Sequence, residues 1–172
     1  HGIRLLRQEF FETLISFIIS ANNNIPRIKK CIENVNPEAI IHCAAYTAVD
    51  KAENNIDFCN LLNNLAPGYL AKAVEERGGI MIQVSTDYVF DGQGETPWTA
   101  DCKDYKPLNV YGQTKLEGEL AVANTLEKYF IVRIAWVFGV NGKNFIKTML
   151  NVGKKYPTLR VVNDQIGTPT YT

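Results

Sequence analysis

The chain has 172 residues, 46% hydrophobic and 21% charged, enough apolar material for the core of an ordinary globular domain. Eighteen Lys and Arg cancel eighteen Asp and Glu, so no net field argues for nucleic acid or an anionic membrane as partner. Cys31, Cys43, Cys59 and Cys102 are scattered without metal-ligand spacing, and only His1 and His42 accompany them, which argues against a metal site. Cys43 stands in an apolar run and is expected in the core. Free thiols and the lack of a leader-like stretch lead to the expectation of a cytoplasmic protein.

The first 34 residues read as two helical stretches split at Asn22-Asn23-Asn24-Ile25-Pro26. Phe10 to Ala21 (FFETLISFIISA) is too short to span a bilayer and carries Glu12, so a buried helix is expected there. Asn24 can cap the second helix, with Pro26 in its first turn. From residue 38 onward the pattern alternates. Ala39 to Ala45 is a short apolar run, expected as a buried strand. Residues 50–77 read as helical, broken near Pro67 and stopped at Gly78-Gly79. Ile80 to Ser85 is the next strand. Residues 91–108 are rich in Gly, Pro and Asp and read as a long functional loop. Residues 109–127 predict a helix, Tyr129 to Ala135 a strand, Asn141 to Lys155 a helix, and Leu159 to Val162 a short strand.

Strands and helices alternating at this spacing imply crossover units and a parallel sheet, with helices covering both faces. In such sheets ligands bind beyond the carboxyl ends of the strands. Ala44-Ala45, Ser85-Thr86 and Ala135-Trp136 all fall at such ends and are expected to meet in one cleft. No strand is expected before residue 38, so the strand near Ile40 should expose an unpaired edge and make the chain prone to aggregate.

Tyr111 and Lys115 carry the chemistry. Residues four apart share one helix face, so the Lys ammonium can stand near the phenol oxygen. A free phenol titrates near 10, and a neighbouring cation is expected to lower that value toward working pH. Tyr111 could then give a proton to a ketone oxygen while hydride reaches the carbon. Ser85 and Thr86 end the preceding strand, and either hydroxyl could fix the carbonyl; successive strand residues face opposite ways, so one of the two is expected in the site. A lone Tyr-x-x-x-Lys is more often an exposed helix face than a catalytic pair.

Longer stretches sharpen this. CAAYTAVDKAE (43–53), STDYVFDG (85–92), PLNVYGQTKLEGE (107–119), GKNFIKTML (142–150) and LRVVNDQIGTPTY (159–171) stand in order. From about Pro37 to Thr172 the chain closely resembles the dTDP-4-dehydrorhamnose reductases, extended short-chain dehydrogenase/reductases. The resemblance implies an α/β fold: an incomplete Rossmann-like parallel sheet with flanking helices over residues 35–172, preceded by a short all-helical segment over 1–34. It implies reduction of the 4-keto group of a dTDP-linked 6-deoxy-hexulose to dTDP-L-rhamnose by NADPH or NADH. It makes Tyr111 the proton donor and gives Lys115 the nicotinamide ribose. Thr86, rather than Ser85, would hydrogen-bond the sugar carbonyl, with Asp87 beside the substrate and Trp136 contacting it. Ala44, Ala45, Tyr46 and Asn63 would line the cofactor. The bland alternatives are small residues packing at Ala44 and Ala45, a core aromatic at Trp136, solvated helix positions at Asn63 and Asn64, and a loop cap at Asp87.

The glycine-rich first turn of that family, which meets a pyrophosphate at a helix N-terminus, has no counterpart between Gly2 and Gly68. The opening stretch instead resembles part of the 8-oxoguanine DNA glycosylases, which implies that Asn22 and Arg27 would face a lesion gap in DNA. Its catalytic Lys and Asp are not matched, and Arg4, Arg7, Arg27, Lys29 and Lys30 against Glu9, Glu12 and Glu33 give little net charge for a phosphate backbone. Three functions follow: a nucleotide-sugar reductase that acts without a membrane and could form a homo-oligomer, a non-catalytic binding module, and a DNA-lesion-binding fragment.

Overall fold

The computed structural model describes residues 4–8, 11–16 and 25–172. Asn22 and Asn24 lie outside the described residues. Arg27 lies on a described helix.

Two compact units divide the chain, residues 1–133 and 134–172. The first is built on a sheet of order β1-β2-β3-β4-β5, formed by Arg4–Gln8, Phe11–Ser16, Ala39–His42, Ile80–Thr86 and Tyr129–Ile134. The pair β1–β2 is antiparallel, and β2–β3 and β3–β4 are parallel. Between β2 and β3 runs α1 (Ile25–Val35). Between β3 and β4 come α2 (Val49–Ala52), α3 (Ile56–Asn60), a π-helical turn (Leu61–Leu65) and α4 (Ala66–Glu75). Between β4 and β5 come a 3₁₀ turn (Asp87–Val89), a long loop and α5 (Val110–Ala123).

The opening segment differs from expectation. Phe11–Ser16 is a strand rather than part of a buried helix, and with Arg4–Gln8 it replaces an all-helical start. A short apolar run fits either element by periodicity, and a pairing partner far along the chain decides. That partner is β3: Ile15 pairs with Ile40 and Ser16 with Ile41. The edge expected to lie open at Ile40 is therefore covered. The chain β2–α1–β3 is itself a parallel crossover unit.

The core explains why the remaining elements form where they do. Ile32 of α1, Ile40 of β3, Leu70 and Val74 of α4, Met81 of β4, and Val122 and Leu126 at the end of α5 make one buried cluster. These positions set Met81, Gln83 and Ser85 inward and leave Ile80, Ile82 and Val84 less buried. The helical cover expected on both sheet faces is thus present on the one face packed against α1, α4 and α5 among the described residues. Pro67, which has no N–H for the helical ladder, falls at the start of α4 directly after the π-helical turn. Gly78, at φ +66, turns the chain after α4. Cys43 is exposed, a correction to its expected core place, because β3 ends one residue earlier at His42.

The second unit contains α6 (Phe145–Gly153), capped by the Asn144 side chain accepting from the Lys147 N–H, and a parallel pair β6 (Val137–Phe138) and β7 (Thr170–Tyr171). The strand expected over Leu159 to Val162 does not form; Val161 and Val162 are exposed, and no partner strand pairs with them among the described residues. No described helix is long and apolar enough to cross a membrane.

Candidate active site

The helix α5 presents Tyr111, Lys115 and Glu119 on one buried stripe. Its first turn is held by two oxygens. The Asn109 side chain accepts from the Gly112 N–H at 2.8 Å, and Glu53 Oε1 accepts from the Val110 N–H at 2.8 Å. Both satisfy N–H groups that a helix start leaves without partners. Close approach on either side allows this seat. A Cβ at Gly112 would stand 2.3 Å from the Tyr88 carbonyl oxygen, and one at Gly118 would stand 2.0 Å from that of Asn63. Glycines inside a helix-forming run were the sequence signal for these contacts.

Tyr111 is 9% exposed and packs with Ala52, Cys59 and the partly buried Tyr46. The Tyr88 ring meets it edge-on, with centroids 5.4 Å apart. Burial pushes the phenol above its ordinary pKa, and the neighbouring Thr86 hydroxyl offsets this in part. The expected lowering by Lys115 does not occur: Lys115 is not among the groups that shift the phenol. Desolvation, which spacing cannot reveal, sets the direction instead.

Lys115 is 3% exposed, and its Nζ donates to the Val84 carbonyl at 2.7 Å. Burial lowers its pKa to about 8, against an upward pull from Glu119. It remains mainly an ammonium at neutral pH.

Thr86 ends β4. Its Oγ1 donates to Asp87 Oδ1 at 3.1 Å and accepts from the Tyr88 N–H at 3.3 Å. The Thr86 hydroxyl lowers the pKa of the neighbouring Tyr111 phenol, while Asp87 beside it is exposed. Ser85 faces the core with its Oγ buried and, among the described residues, unpartnered, so of the two hydroxyls it is Thr86 that bears on the phenol.

Ala44, Ala45 and Tyr46 follow β3 and are half-buried. Asn63 pins this loop. It is 1% exposed, its Oδ1 accepts from the Tyr46 N–H at 2.8 Å, and its Nδ2 donates to the Tyr46 carbonyl at 3.1 Å. The same Nδ2 reaches Cys59 Sγ and Thr114 Oγ1. The side chain is a buried clamp between the loop and α5, not a solvated helix position. Asn64 instead donates to Asn60 and Glu117.

The loop after the 3₁₀ turn is tied down by a group that sequence reasoning missed. Arg133 of β5 forms a forked ion pair with the buried Glu119, the shortest contact 2.6 Å, and donates to Tyr105 Oη at 3.1 Å. Its guanidinium lies 5.1 Å from the centroids of both Phe90 and Tyr105. Phe90 in turn stacks on Trp98 at 4.5 Å. The signal available was Glu119 continuing the Tyr111–Lys115 stripe by one more turn.

Trp136 belongs to the second unit. It adopts φ +46, uncommon for a bulky residue, and its indole lies against Gly167, where a Cβ would come within 3.0 Å.

For a nicotinamide cofactor the residues present fit one end. A buried ammonium with a single protein acceptor, a phenol and a half-buried loop of small residues suit a ribose and the ring it carries. A glycine-rich turn for the pyrophosphate is not found among the described residues.

The chain is 45% identical over 148 residues to a dTDP-4-dehydrorhamnose reductase of Shigella flexneri, and 43% identical to one of Escherichia coli; each match covers 86% of this chain and 49% of the relative. The chain thus spans about half the length of the curated relatives it matches. A reductase structure from Clostridium acetobutylicum superposes with a TM-score of 0.82 at 45% identity, covering 86% of this chain and 52% of that one. One from Bacillus anthracis, in complex with NADP, gives 0.83 at 40% identity with the same coverage. The model of the RmlD substrate binding domain matches residues 20–172, a span that takes in α1 as well as the site. The chain belongs to the RmlD substrate binding domain family.

Proposed function

We propose that this chain carries the ketone-reducing centre of a dTDP-4-dehydrorhamnose reductase, acting on a dTDP-linked 4-keto-6-deoxy-hexulose with NADPH or NADH. What supports the reading is a buried Tyr111 whose phenol feels the Thr86 hydroxyl at the end of β4, one helical turn before a buried Lys115 ammonium that donates to the Val84 carbonyl at 2.7 Å.

Reduction of a ketone needs a proton at oxygen as hydride reaches carbon, and the bound nicotinamide supplies the hydride. Thr86, its hydroxyl proton turned from Asp87 Oδ1, holds the carbonyl oxygen. Tyr111 enters as a neutral phenol, because burial keeps it protonated at neutral pH, and its Oη–H gives the proton to the same oxygen. Lys115, anchored on the Val84 carbonyl, offers its remaining N–H groups to the cofactor ribose. Asn63 acts on the cofactor through the Ala44–Tyr46 loop that it clamps. Asp87 and Trp136 are read as substrate contacts, and the protein as cytoplasmic.

The test is oxidation of NADPH by the whole chain with the dTDP-4-keto sugar, and the same with Tyr111→Phe. The phenylalanine variant should lose about a hundredfold or more in kcat, the usual worth of a positioned acid, with cofactor binding retained by calorimetry. Equal turnover by parent and variant removes Tyr111 as proton donor. A parent chain that binds neither cofactor nor sugar removes the whole reading.

A further inference from the structure

Beneath Lys115 lies a buried polar group that the proposed chemistry does not use. His42 of β3 pairs with Gln83 of β4 across the parallel ladder, and its Nδ1 lies 2.8 Å from Gln83 Oε1. Gln83 Nε2 donates to the Val84 carbonyl at 3.0 Å, which fixes the amide so that Oε1 is the acceptor. His42 Nδ1 therefore carries the proton. Burial lowers the His42 pKa to about 4, so the ring is neutral and Nε2 is a bare lone pair. That Nε2 is fully buried and has no partner among the described residues. Ser85, two residues beyond Gln83 and on the same sheet face, is 3% exposed, and its Oγ also has no partner.

Two unpaired polar atoms at 0% and 3% residue exposure are costly, because each has given up water and received nothing in exchange. Lys115 has three N–H groups and, among the described residues, one protein acceptor: the carbonyl of Val84, the residue between Gln83 and Ser85, which also accepts from Gln83 Nε2. Its ammonium is near enough to His42 to lower the imidazole's pKa. One molecule complements all three groups. A water can donate one hydrogen to His42 Nε2 and the other to Ser85 Oγ while accepting an N–H from Lys115, three bonds being usual for an internal water.

We infer that His42 and Ser85 hold an internal water under Lys115 and, through it, position and stabilise the Lys115 ammonium. This rests on the reading of Lys115 as part of the site. Both are positioning residues; neither touches substrate. The other titratable groups around Lys115 are Glu119 on α5, Cys43 after β3 and Cys59 on α3, and none of them bonds to His42 or Ser85.

The test follows the Lys115 pKa directly in the whole unliganded chain, by carbon-13 NMR of Cε-labelled lysine, with the resonance assigned through Lys115→Met. It needs no turnover, so its outcome is independent of Tyr111→Phe. Ser85→Ala removes one partner of the water and His42→Leu another; each should lower the Lys115 pKa by about half a unit or more, the ammonium having lost a bound acceptor. His42→Gln, which keeps an acceptor, should restore most of the parent value. Ser85→Ala removes a single oxygen and keeps the proposal falsifiable if His42→Leu does not fold. A Lys115 pKa unchanged in Ser85→Ala overturns the inference, as does a His42→Gln value no closer to the parent than that of a folded His42→Leu.

Discussion

Lys115 carries its charge in a place that disfavours it. Burial lowers its pKa from 10.5 to about 8, and Glu119 limits the fall. Between those values the folded chain binds fewer protons than the unfolded chain, so this residue makes stability rise with pH across that window. Below about 8 both states are protonated and the full penalty stands, on the order of 3 kcal/mol. Lys115→Met should abolish this slope. Urea denaturation at several pH values from 7 to 10.5 would measure it: the stability difference between variant and parent should shrink steadily as pH rises through about 8. A constant difference would mean that the lysine is not desolvated. Turnover should fall over the same range, as the ammonium is lost. Tyr111 shows the same physics with the opposite charge type: burial raises its pKa and keeps the proton in place for donation. The Tyr-x-x-x-Lys spacing announced the pair, but not which influence dominates it. Spacing is local, whereas desolvation depends on Ala52, Cys59 and Tyr88 arriving from elsewhere.

Two backbone approaches decide where α5 sits. Gly118 meets the Asn63 carbonyl and Gly112 that of Tyr88, at separations no side-chain carbon tolerates. The helix therefore lies closer to the π-helical turn and to the end of β4 than any other residue would permit, and this closeness brings Tyr111 to Thr86. Gly118→Ala should destabilise by about 2–3 kcal/mol, the cost of forcing backbone apart in a packed core. Gly68→Ala is the control. There a Cβ would meet only that of Ala121, at 3.4 Å, and the gain in helix propensity in α4 should leave stability within about 1 kcal/mol of the parent. Thermal melts of the two variants compare them, and equal melting temperatures would rule out the close approach as the determinant. At this scale much was legible: Ile80–Thr86 and Val110–Ala123 fall within a residue or a turn of where the sequence pattern put them. Leu159 to Val162 was misread because a β-branched run needs a partner strand, and none pairs with it among the described residues.

At the scale of the whole chain, the opening segment bears most on folding. Its apolar run, too short to span a bilayer, was read as a buried helix. Parallel pairing to β3, twenty-odd residues further on, makes it a strand instead. Such long-range pairing is invisible to any local window. The consequence is a sheet in which β3 is interior, flanked by β2 and β4. Deleting residues 1–16 would remove β1 and β2 and leave the backbone of Ile40 and Ile41 unpaired on one side. An open parallel edge that continues an apolar run is a template for another chain. The truncated chain should therefore associate at concentrations where the parent does not, read by light scattering on a sizing column. The proposed site is built from the ends of β3 and β4 and from α5, so the truncation leaves its residues in place and tests the edge alone. If the truncated chain stays as monodisperse as the parent, β2 is not what protects β3.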